Sequence, residues 1–416
     1  MTQVAVVTPT LDDFEAARVT VSKVAIETPL LHNNYLSELV GQEVFLKCEN
    51  LQRTGAYKVR GAYNRMSKLT ADERARGVVA ASAGNHAQGV ALAAKMLDIK
   101  ATVYMPTGAS LPKLAATRGY GADVVLVGAN FAEALKASQE FAKTSGAVFI
   151  APFDHIDVIT GQGTVALDLI DQLPEVQTIV VAIGGGGLAA GVAVAAKLKA
   201  AEMGTKIKVI GVQSEHAASY VPSLKAGKLV EIKTTPTIAD GIAVSKPGAI
   251  PFELISQHID KVVTVSEDEI ATAILVLMER AKQIVEPAGA VAVAALMAGK
   301  IKPKGKTVAI LSGGNMDPLL LQRVIRHGLA ATDRYTNISV MLPDRPGQLA
   351  LTAEVVAAAQ ANVIEVLHTR HGNGLQINEV ELNLSVETRD HEHRLAVLKA
   401  LEEAGLNPRL EKNRKS

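Results

Sequence analysis

The sequence predicts an α/β protein with a largely parallel sheet, followed by a small α+β unit near the carboxyl terminus. Short runs of β-branched residues alternate with helical stretches over most of the chain, which is typical of βαβ units and buried parallel strands. Several of these strands end in polar or glycine-rich loops, where open α/β sheets bind their ligands. The alternation stops near Gly328, and a different order of elements follows.

The alternation can be followed strand by strand. Predicted strands cover residues 44–48, 78–81, 102–105, 123–127, 148–151, 179–183, 208–213, 261–265 and 307–311. Predicted helices cover residues 57–69, 86–97, 111–117, 131–143, 160–172, 267–282 and 288–298. Because helices join successive strands, we expect a parallel sheet that is covered on both faces.

A second pattern begins after residues 330–336, which we predict to be a linker. The elements that follow are a strand at 337–342, a helix at 347–361, strands at 363–369 and 377–386, a helix at 390–404 and a short strand at 408–410. This βαββαβ order predicts a ferredoxin-like unit over 337–411. The charged residues 412–416 are expected to be a frayed tail.

Composition excludes several classes of protein. The net charge of +1, the 3% aromatic content and the absence of Trp argue against a nucleic-acid partner. The single cysteine, Cys48, cannot form an intramolecular disulfide, which fits a reducing compartment. The amino-terminal segment has no basic start and turns acidic at Asp12 and Asp13, so no signal peptide is visible. We expect a cytoplasmic protein without a membrane segment.

Residues 179–196 are uncharged and long enough to suggest a membrane span. The run begins with β-branched residues, continues through four glycines at 184–187 and ends in an alanine-rich stretch. That order predicts a strand, a loop and a helix instead. A glycine loop before a helix can bind a phosphate on its backbone N–H groups, although a flexible turn would give the same pattern.

Three other loops carry candidate chemistry. Lys58 follows the strand at 44–48, and beside a phosphate loop it could be an amine nucleophile instead of a surface charge. The loop 82–86 opens a helix, where Ser82 or Asn85 could cap the helix or help to bind a carboxylate. Ser312 follows the strand at 307–311 and offers a hydroxyl, unless it is only a turn residue.

Together these loops resemble the fold-type II pyridoxal-phosphate enzymes, which are tryptophan synthase β-like, and among them the threonine ammonia-lyase family. The motifs are Gly-Ala-Tyr-Lys-Val-Arg-Gly-Ala at 55–62, Ser-Ala-Gly-Asn-His at 82–86, the four glycines, Asp-Gly-Ile-Ala at 240–243, Glu-Pro-Ala-Gly at 286–289 and Ser-Gly-Gly-Asn at 312–315. The resemblance implies a catalytic domain over 1–329 with two open parallel-sheet subdomains, the smaller one nested at about 48–150.

The resemblance also implies roles for single residues. Lys58 would hold pyridoxal 5'-phosphate as a Schiff base, Tyr57 would pack beside its ring, and Asn85 would bind its phenolic oxygen. Ser312 matches the residue that faces the pyridine nitrogen. The other cofactor-binding residues implied in this way are Gly184, Gly185, Gly186, Gly187, Leu188 and Gly241.

The substrate would be a small amino acid, and Lys58 and Ser82 are the expected catalytic residues. The freed Lys58 amine would remove the α-proton of L-threonine, after which the β-hydroxyl leaves and 2-oxobutanoate and ammonia form. L-Serine would give pyruvate in the same way. The resemblance leaves open whether this begins isoleucine synthesis or serves threonine catabolism. The residues implied to bind the substrate carboxylate are Ser82, Ala83, Gly84, Asn85 and His86.

The carboxyl-terminal unit resembles an ACT domain through the segment 342–349, Leu-Pro-Asp-Arg-Pro-Gly-Gln-Leu. One such module on this catalytic domain is similar to the medium-length form of the enzyme. It implies an amino-acid effector, with isoleucine and valine as candidates, although the unit could serve only oligomerisation. The resemblance also suggests a homodimer or a homotetramer.

Two other functions remain open. Serine racemase, or another β-eliminating or β-replacing enzyme of the same fold, would use the same cofactor, and a non-catalytic amino-acid sensor would use only the ACT-like unit. Some relatives of this fold, notably serine racemases, bind a divalent cation through an acidic residue just after the strand that corresponds to 208–212. This chain has Gln213 and Ser219 where carboxylates would be expected, so we predict no metal there.

Overall fold

The computed structural model describes residues 7–370 and 375–410. The chain divides into two compact units, Met1–Leu320 and Leu321–Ser416. This division falls inside the helix Pro318–Ala331 and therefore precedes the predicted linker at 330–336. The next strand begins at Tyr335, so only residues 332–334 lie between the helix and that strand. The predicted tail at 412–416 lies outside the described residues.

Sixteen α-helices are present in the described part of the chain. They are α1 Leu11–Val21, α2 Asn34–Val40, α3 Lys58–Ser67, α4 Ala71–Arg76, α5 Asn85–Leu97, α6 Leu111–Gly119, α7 Phe131–Ser145, α8 Ile156–Gln172, α9 Gly187–Glu202, α10 Tyr220–Ala226, α11 Ala249–His258, α12 Glu267–Val276, α13 Pro287–Met297, α14 Pro318–Ala331, α15 Gln348–Ala358 and α16 His391–Glu403. Capping boxes at Thr10, Thr70 and Ser266 begin three of them. No helix within residues 7–370 and 375–410 is long and apolar enough to span a bilayer.

Fourteen strands form three sheets in the same residues. They are β1 Leu30–His32, β2 Val44–Lys47, β3 Val78–Ala81, β4 Ala101–Met105, β5 Asp123–Leu126, β6 Val148–Phe149, β7 Thr178–Ala182, β8 Lys208–Ser214, β9 Lys261–Val265, β10 Thr307–Ile310, β11 Tyr335–Pro343, β12 Asn362–Thr369, β13 Glu379–Glu387 and β14 Pro408–Leu410.

Two of the sheets belong to the first unit. The larger has the order β1-β2-β10-β7-β8-β9 and is parallel except for β1, which pairs antiparallel with β2. The smaller has the order β5-β4-β3-β6, is entirely parallel, and lies within the stretch expected as a nested subdomain. Every residue of β3, β7 and β10 is buried, as expected for strands covered on both faces. The predicted α/β architecture is therefore confirmed.

The third sheet forms the second unit. Its order is β12-β13-β11-β14, and all its pairs are antiparallel. Buried apolar side chains on β13 alternate with half-buried polar ones, and the buried apolar side chains of β11 and β13 pack with Val356, Val397 and Leu401 of helices α15 and α16. This is the predicted βαββαβ unit, with the last strand at the predicted residues.

A buried ion cluster ties sequence-distant elements of the first unit together. The Arg60 guanidinium donates to both oxygens of Glu49, at 2.9 and 2.8 Å, and to Asp168 on α8 at 2.7 Å. Glu49 also accepts from the Thr28 hydroxyl at 2.6 Å. Because Arg60 lies on the first turn of α3, the cluster fixes the start of the helix that carries Lys58. Next to Glu49, the Cys48 thiol is fully buried, and burial raises its pKa to about 12.

Two predicted elements differ from the structure. The helix predicted over 267–282 is α-helical only to Val276 and continues as a π-helical segment at Leu277–Ala281. The strand predicted over 148–151 pairs only at Val148 and Phe149, because the chain then turns towards the site at Pro152. The uncharged run at 179–196 is a strand, a glycine loop and a helix, as predicted.

Candidate active site

A cavity of about 620 Å³ in the first unit is lined by the loops that follow β2, β3, β7 and β10. These loops meet because parallel strands bring their carboxyl ends to one edge of each sheet. All the residues that the sequence singled out for the site line this cavity. They are Tyr57, Lys58, Ser82, Ala83, Gly84, Asn85, His86, Gly184, Gly185, Gly186, Gly187, Leu188, Gly241 and Ser312.

Lys58 is the first residue of α3 and its amine faces the cavity. Its Nζ donates to the carbonyl oxygen of Pro152 at 2.9 Å and lies 5.3 Å from the centre of the Tyr57 ring. Burial lowers the pKa of Lys58 to about 8, against a smaller opposing effect of Glu286. Near neutral pH the uncharged fraction of this amine is therefore small, but it is far larger than in an exposed lysine, and the uncharged form is the one that a nucleophile or base requires.

The glycine loop ends at the amino terminus of α9, a helix of 16 residues. Gly186 has φ of +101° and is the N-cap residue, with no side-chain hydrogen bond at this helix end. A Cβ on Gly186 would lie 1.9 Å from the Tyr220 hydroxyl, and one on Gly185 would lie 2.4 Å from the Phe153 ring. Packing therefore requires glycine, and the helix end offers backbone N–H groups and a positive dipole to a phosphate.

The loop after β3 opens helix α5 without a side-chain cap, because the N-cap residue is Gly84. The Ser82 hydroxyl accepts the Gly84 N–H at 3.1 Å, so it orders the loop. Asn85 is the first helical residue, and its side chain bonds to residues across the cavity wall instead of capping the helix. The amino terminus of α5 therefore offers a second anion site, suited to a carboxylate.

His86 is held as a neutral imidazole. Its Nε2 lies 2.9 Å from the carbonyl oxygen of Ile150, so this nitrogen carries the proton. Burial lowers the pKa of His86 to about 3, and the Lys58 charge adds to the effect. The side chain is thus a packed, uncharged part of the wall.

Ser312 and Gly241 complete the predicted lining. Ser312 is buried, and its carbonyl oxygen accepts the Tyr57 N–H at 3.2 Å, which ties the loop after β10 to the start of α3. Gly241 lies in a 3₁₀ turn, where a Cβ would approach Ala288 to 3.1 Å.

Glu286 is a residue of the cavity to which the sequence assigned no role. It is buried, and its Oε1 accepts from the Asn85 amide at 2.5 Å. Burial and, to a smaller extent, the charge of Asp240 together raise the pKa of Glu286 to about 7. At the wall nearby, Lys113 of the smaller subdomain pairs with Asp240 at 2.9 Å. Glu286 belongs to the Glu-Pro-Ala-Gly motif at 286–289. From the sequence, its position directly before Pro287 indicates a helix cap and not a residue of the site.

Of the two residues that stand where metal ligands were expected, Gln213 has other partners, whereas the buried Ser219 hydroxyl has no hydrogen-bond partner among the described residues. The Gln213 side chain accepts the Tyr220 N–H at 2.9 Å and donates to the Ala217 carbonyl at 3.3 Å, so it closes the turn after β8. No group of three or more His, Cys, Asp or Glu side chains that could hold a metal occurs in residues 7–370 and 375–410. That this site binds no metal stays a prediction.

A second cavity, of about 470 Å³, lies in the second unit between the end of α14 and the polar face of the sheet. Arg323 and Arg326 line one side, and Arg326 bonds to Glu365 at 3.2 Å. On the sheet, Ser385 donates to Asn337 at 2.8 Å. Asn383 Oδ1 is buried and has no hydrogen-bond partner among the described residues.

Comparison with known proteins places this architecture in a family. The model of the family "Pyridoxal-phosphate dependent enzyme" matches residues 21–313. The L-threonine ammonia-lyase of Thermotoga maritima is 47% identical over 385 residues, which are 92% of this chain and 95% of that enzyme.

Solved structures of related enzymes also resemble this chain. Threonine deaminase isoform 2 of Solanum lycopersicum, in its processed form, superposes with a TM-score of 0.72 at 40% identity and covers 76% of this chain and 93% of its own. Maize serine racemase also superposes with a TM-score of 0.72, at 33% identity over 78% of this chain and 99% of its own. The chain therefore belongs to the pyridoxal-phosphate-dependent enzymes and, within them, to the threonine ammonia-lyases.

Proposed function

We propose that this protein deaminates L-threonine to 2-oxobutanoate and ammonia, and L-serine to pyruvate and ammonia. The observation that carries the proposal is the convergence of four loops on one cavity, whose lining includes an amine of lowered pKa and two helix amino termini. An amino-acid substrate and a phosphorylated cofactor each bring an anionic group, and each helix end can bind one of them.

The cavity fits pyridoxal 5'-phosphate. Gly184 to Gly187 would hold the phosphate at the start of α9, since side chains there would collide with Phe153 and Tyr220. Lys58 would hold the cofactor covalently, and Ser312 would face the pyridine nitrogen. Tyr57, Asn85, Leu188 and Gly241 would contact the remainder. When bound, the cofactor delocalises the negative charge that develops at the substrate Cα.

The chain's own groups orient the substrate and move its proton. The N–H groups at the start of α5, with Ser82, Ala83 and Gly84 before them, bind the carboxylate and direct Cα towards Lys58. The Lys58 amine, with its pKa of about 8, then accepts the α-proton at Nζ. The β-hydroxyl leaves as water, and the released enamine takes up water to give the 2-oxo acid and ammonia.

Ser312 supports elimination over competing reactions. A neutral hydroxyl at the pyridine nitrogen does not stabilise a full positive charge there, which favours prompt loss of the β-hydroxyl over transamination. Serine racemisation is the second candidate, because the racemase from maize and the deaminase from tomato superpose equally well.

The test measures 2-oxo acid release from L-threonine and L-serine by the purified protein with pyridoxal phosphate. We expect rapid release from threonine, and a loss of about 10²- to 10⁴-fold or more in Lys58→Ala, because the base is removed. Chiral analysis of the recovered serine reports racemisation. D-serine without 2-oxo acid release would overturn the ammonia-lyase assignment in favour of racemase.

We further propose that residues 1–329 form the catalytic domain and that residues 337–411 form a regulatory ACT-like domain. The cavity in the second unit offers cationic Arg323 for a carboxylate and the unpartnered oxygen of Asn383 for an ammonium group, which supports an amino-acid effector. Threonine saturation curves with and without isoleucine or valine test this. A shifted curve supports sensing, and identical curves with every amino acid tried would leave oligomerisation as its role.

Assembly and location complete the proposal. We expect a homodimer or homotetramer, which light scattering of the purified full-length protein measures, and a monomer would contradict it. A cytoplasmic location is proposed because the one thiol of the chain is buried and reduced, which fits a reducing compartment.

A further inference from the structure

Four residues form a continuous chain of hydrogen bonds beside the active-site cavity. The Asn315 Nδ2 donates to the Thr54 carbonyl oxygen at 2.7 Å and to Asn85 Oδ1 at 2.8 Å. The Asn85 Nδ2 in turn donates to Glu286 Oε1 at 2.5 Å. Thr54, Asn315, Asn85 and Glu286 are called the polar chain below.

The donor and acceptor atoms along the polar chain are fixed in order, starting from the backbone carbonyl of Thr54. A carbonyl oxygen can only accept, so the Thr54 carbonyl requires that Asn315 present its amide nitrogen. The same nitrogen then meets Asn85, which must present its oxygen. The Asn85 nitrogen is thereby turned towards Glu286, and one of its two N–H groups remains for a further partner. Asn85 lines the cavity, so this N–H is available to a ligand there.

Glycines make the space that the polar chain occupies. Gly55 has φ of +68°, and a Cβ on it would lie 2.3 Å from Asn315 Oδ1. A Cβ on Gly313 would lie 2.1 Å from Glu286 Oε1 and 3.1 Å from Asn85 Nδ2. The two loops are themselves joined, because the Gly314 N–H donates to the Gly55 carbonyl at 2.8 Å. Two sequence-distant loops are thus shaped around these three side chains.

We propose that Asn315 and Glu286 are positioning residues that fix the Asn85 amide with its N–H group directed at the cofactor's phenolic oxygen. The inference rests on the proposed function, since it requires pyridoxal phosphate in the cavity. A phenolic oxygen that carries negative charge is stabilised by a donor and destabilised by the Asn85 oxygen. The orientation of one amide therefore sets the binding and the electronic state of the cofactor.

The role of Glu286 in this arrangement is to accept. Its neighbours are Asp240 on a 3₁₀ turn, Lys113 on α6 and Lys58 on α3, and their opposing charges act on the same carboxyl group. Oε1 can accept the Asn85 N–H whether or not the carboxyl group is protonated. A glutamine at this position could accept in the same way, whereas a leucine could not.

The experiment compares nearly isosteric variants of the full-length holoenzyme by the absorption maximum of the bound cofactor and by its dissociation constant. Asn315→Asp removes the donor to Asn85, so we expect a shifted maximum and about tenfold to hundredfold weaker cofactor binding. Glu286→Leu should behave similarly. Glu286→Gln is the matched control and should stay within about threefold of the wild type, because the acceptor is retained.

A double-variant cycle separates positioning from a general structural defect. In an Asn85→Ala background the amide is gone, so Asn315→Asp should no longer shift the absorption maximum or weaken binding. Circular dichroism confirms folding of each variant, and if Asn315→Asp does not fold, Glu286→Leu against Glu286→Gln carries the same cycle. Equal effects with and without Asn85, or wild-type spectra in Asn315→Asp and Glu286→Leu, would overturn the inference. A wild type that binds the cofactor but releases no 2-oxo acid would overturn only the proposed function.

Discussion

The parallel sheets of the first unit and the antiparallel sheet of the second present ligand sites in different ways. In the first unit the strands are buried on both faces, and the site is built from loops at their carboxyl ends. In the second unit the sheet leaves one face polar, and its cavity is lined by side chains that stand off the strands. Parallel strands gather sequence-distant loops at one edge, whereas an antiparallel sheet offers a face.

The first prediction tests how much the buried ion cluster at the start of α3 stabilises the fold that carries the loop-built site. Arg60→Ala leaves Glu49 buried without its cation, so we expect a loss of about 3 to 5 kcal/mol in the free energy of unfolding. Arg18→Ala is the control, because Arg18 pairs with Glu15 and Asp171 at the surface and should cost less than about 1 kcal/mol. Chemical denaturation measures both values. Equal losses would show that the cluster has no special role.

The second prediction concerns the glycine loop. Gly186→Ala introduces a Cβ at a φ of +101° and against the Tyr220 hydroxyl, so we expect about tenfold or more weaker pyridoxal phosphate binding. Gly227→Ala is the matched control, because it also has positive φ, of +64°, but has open space around it. Equilibrium titration with the cofactor compares the two. A similar loss of affinity in both would mean that backbone strain, and not the shape of the loop, is responsible.

The third prediction is the pH dependence of covalent cofactor uptake by the apoenzyme. Only the uncharged Lys58 amine reacts, and its pKa of about 8 makes the rate rise about tenfold per pH unit below pH 8 and level off above it. Stopped-flow absorbance measures the rate, with Lys58→Ala as the unreactive control. A midpoint near the ordinary lysine pKa of about 10.4 would show that burial does not lower the pKa.

The fourth prediction has the smallest effect and addresses the second unit. Arg323→Ala removes an exposed cation that does not line the active-site cavity, so turnover without an effector should stay within about twofold of the wild type. Any shift of the threonine curve caused by an amino acid should be lost. A variant that keeps the full shift would place the effector away from this cavity.

The sequence predicted the four loops because each follows an apolar strand and is made of small or polar residues. Their places after strands made Lys58, Asn85 and Ser312 candidates for a site, and the resemblance to the fold-type II enzymes implied their roles in it. Glu286 and Asn315 could not be placed in the polar chain, because their partners lie far away in the sequence. The signature of Glu286 before Pro287 indicates a helix cap, and Glu286 is the N-cap of α13, but its side chain makes no capping bond.

The exact ends of helices and strands, and the shortest elements, could also not be predicted from the sequence. Strand β1 has three residues, too few for an alternating pattern, and it is held by its antiparallel pairing with β2. The π-helical segment at Leu277–Ala281 follows a regular helix with no breaker between them, so local propensity predicts one continuous helix. Such features depend on tertiary contacts that no local pattern records.

The sealed position of Cys48 makes the protein its own reporter of stability. It is the one cysteine of the chain, and a thiol that is fully buried with a pKa of about 12 is almost inert to alkylating reagents. Labelling can therefore proceed only when the end of β2 is exposed, and the rate at which a single reagent molecule is incorporated counts those openings directly. Mass spectrometry could measure this labelling rate in unfractionated samples, with and without cofactor, and no engineered probe would be needed.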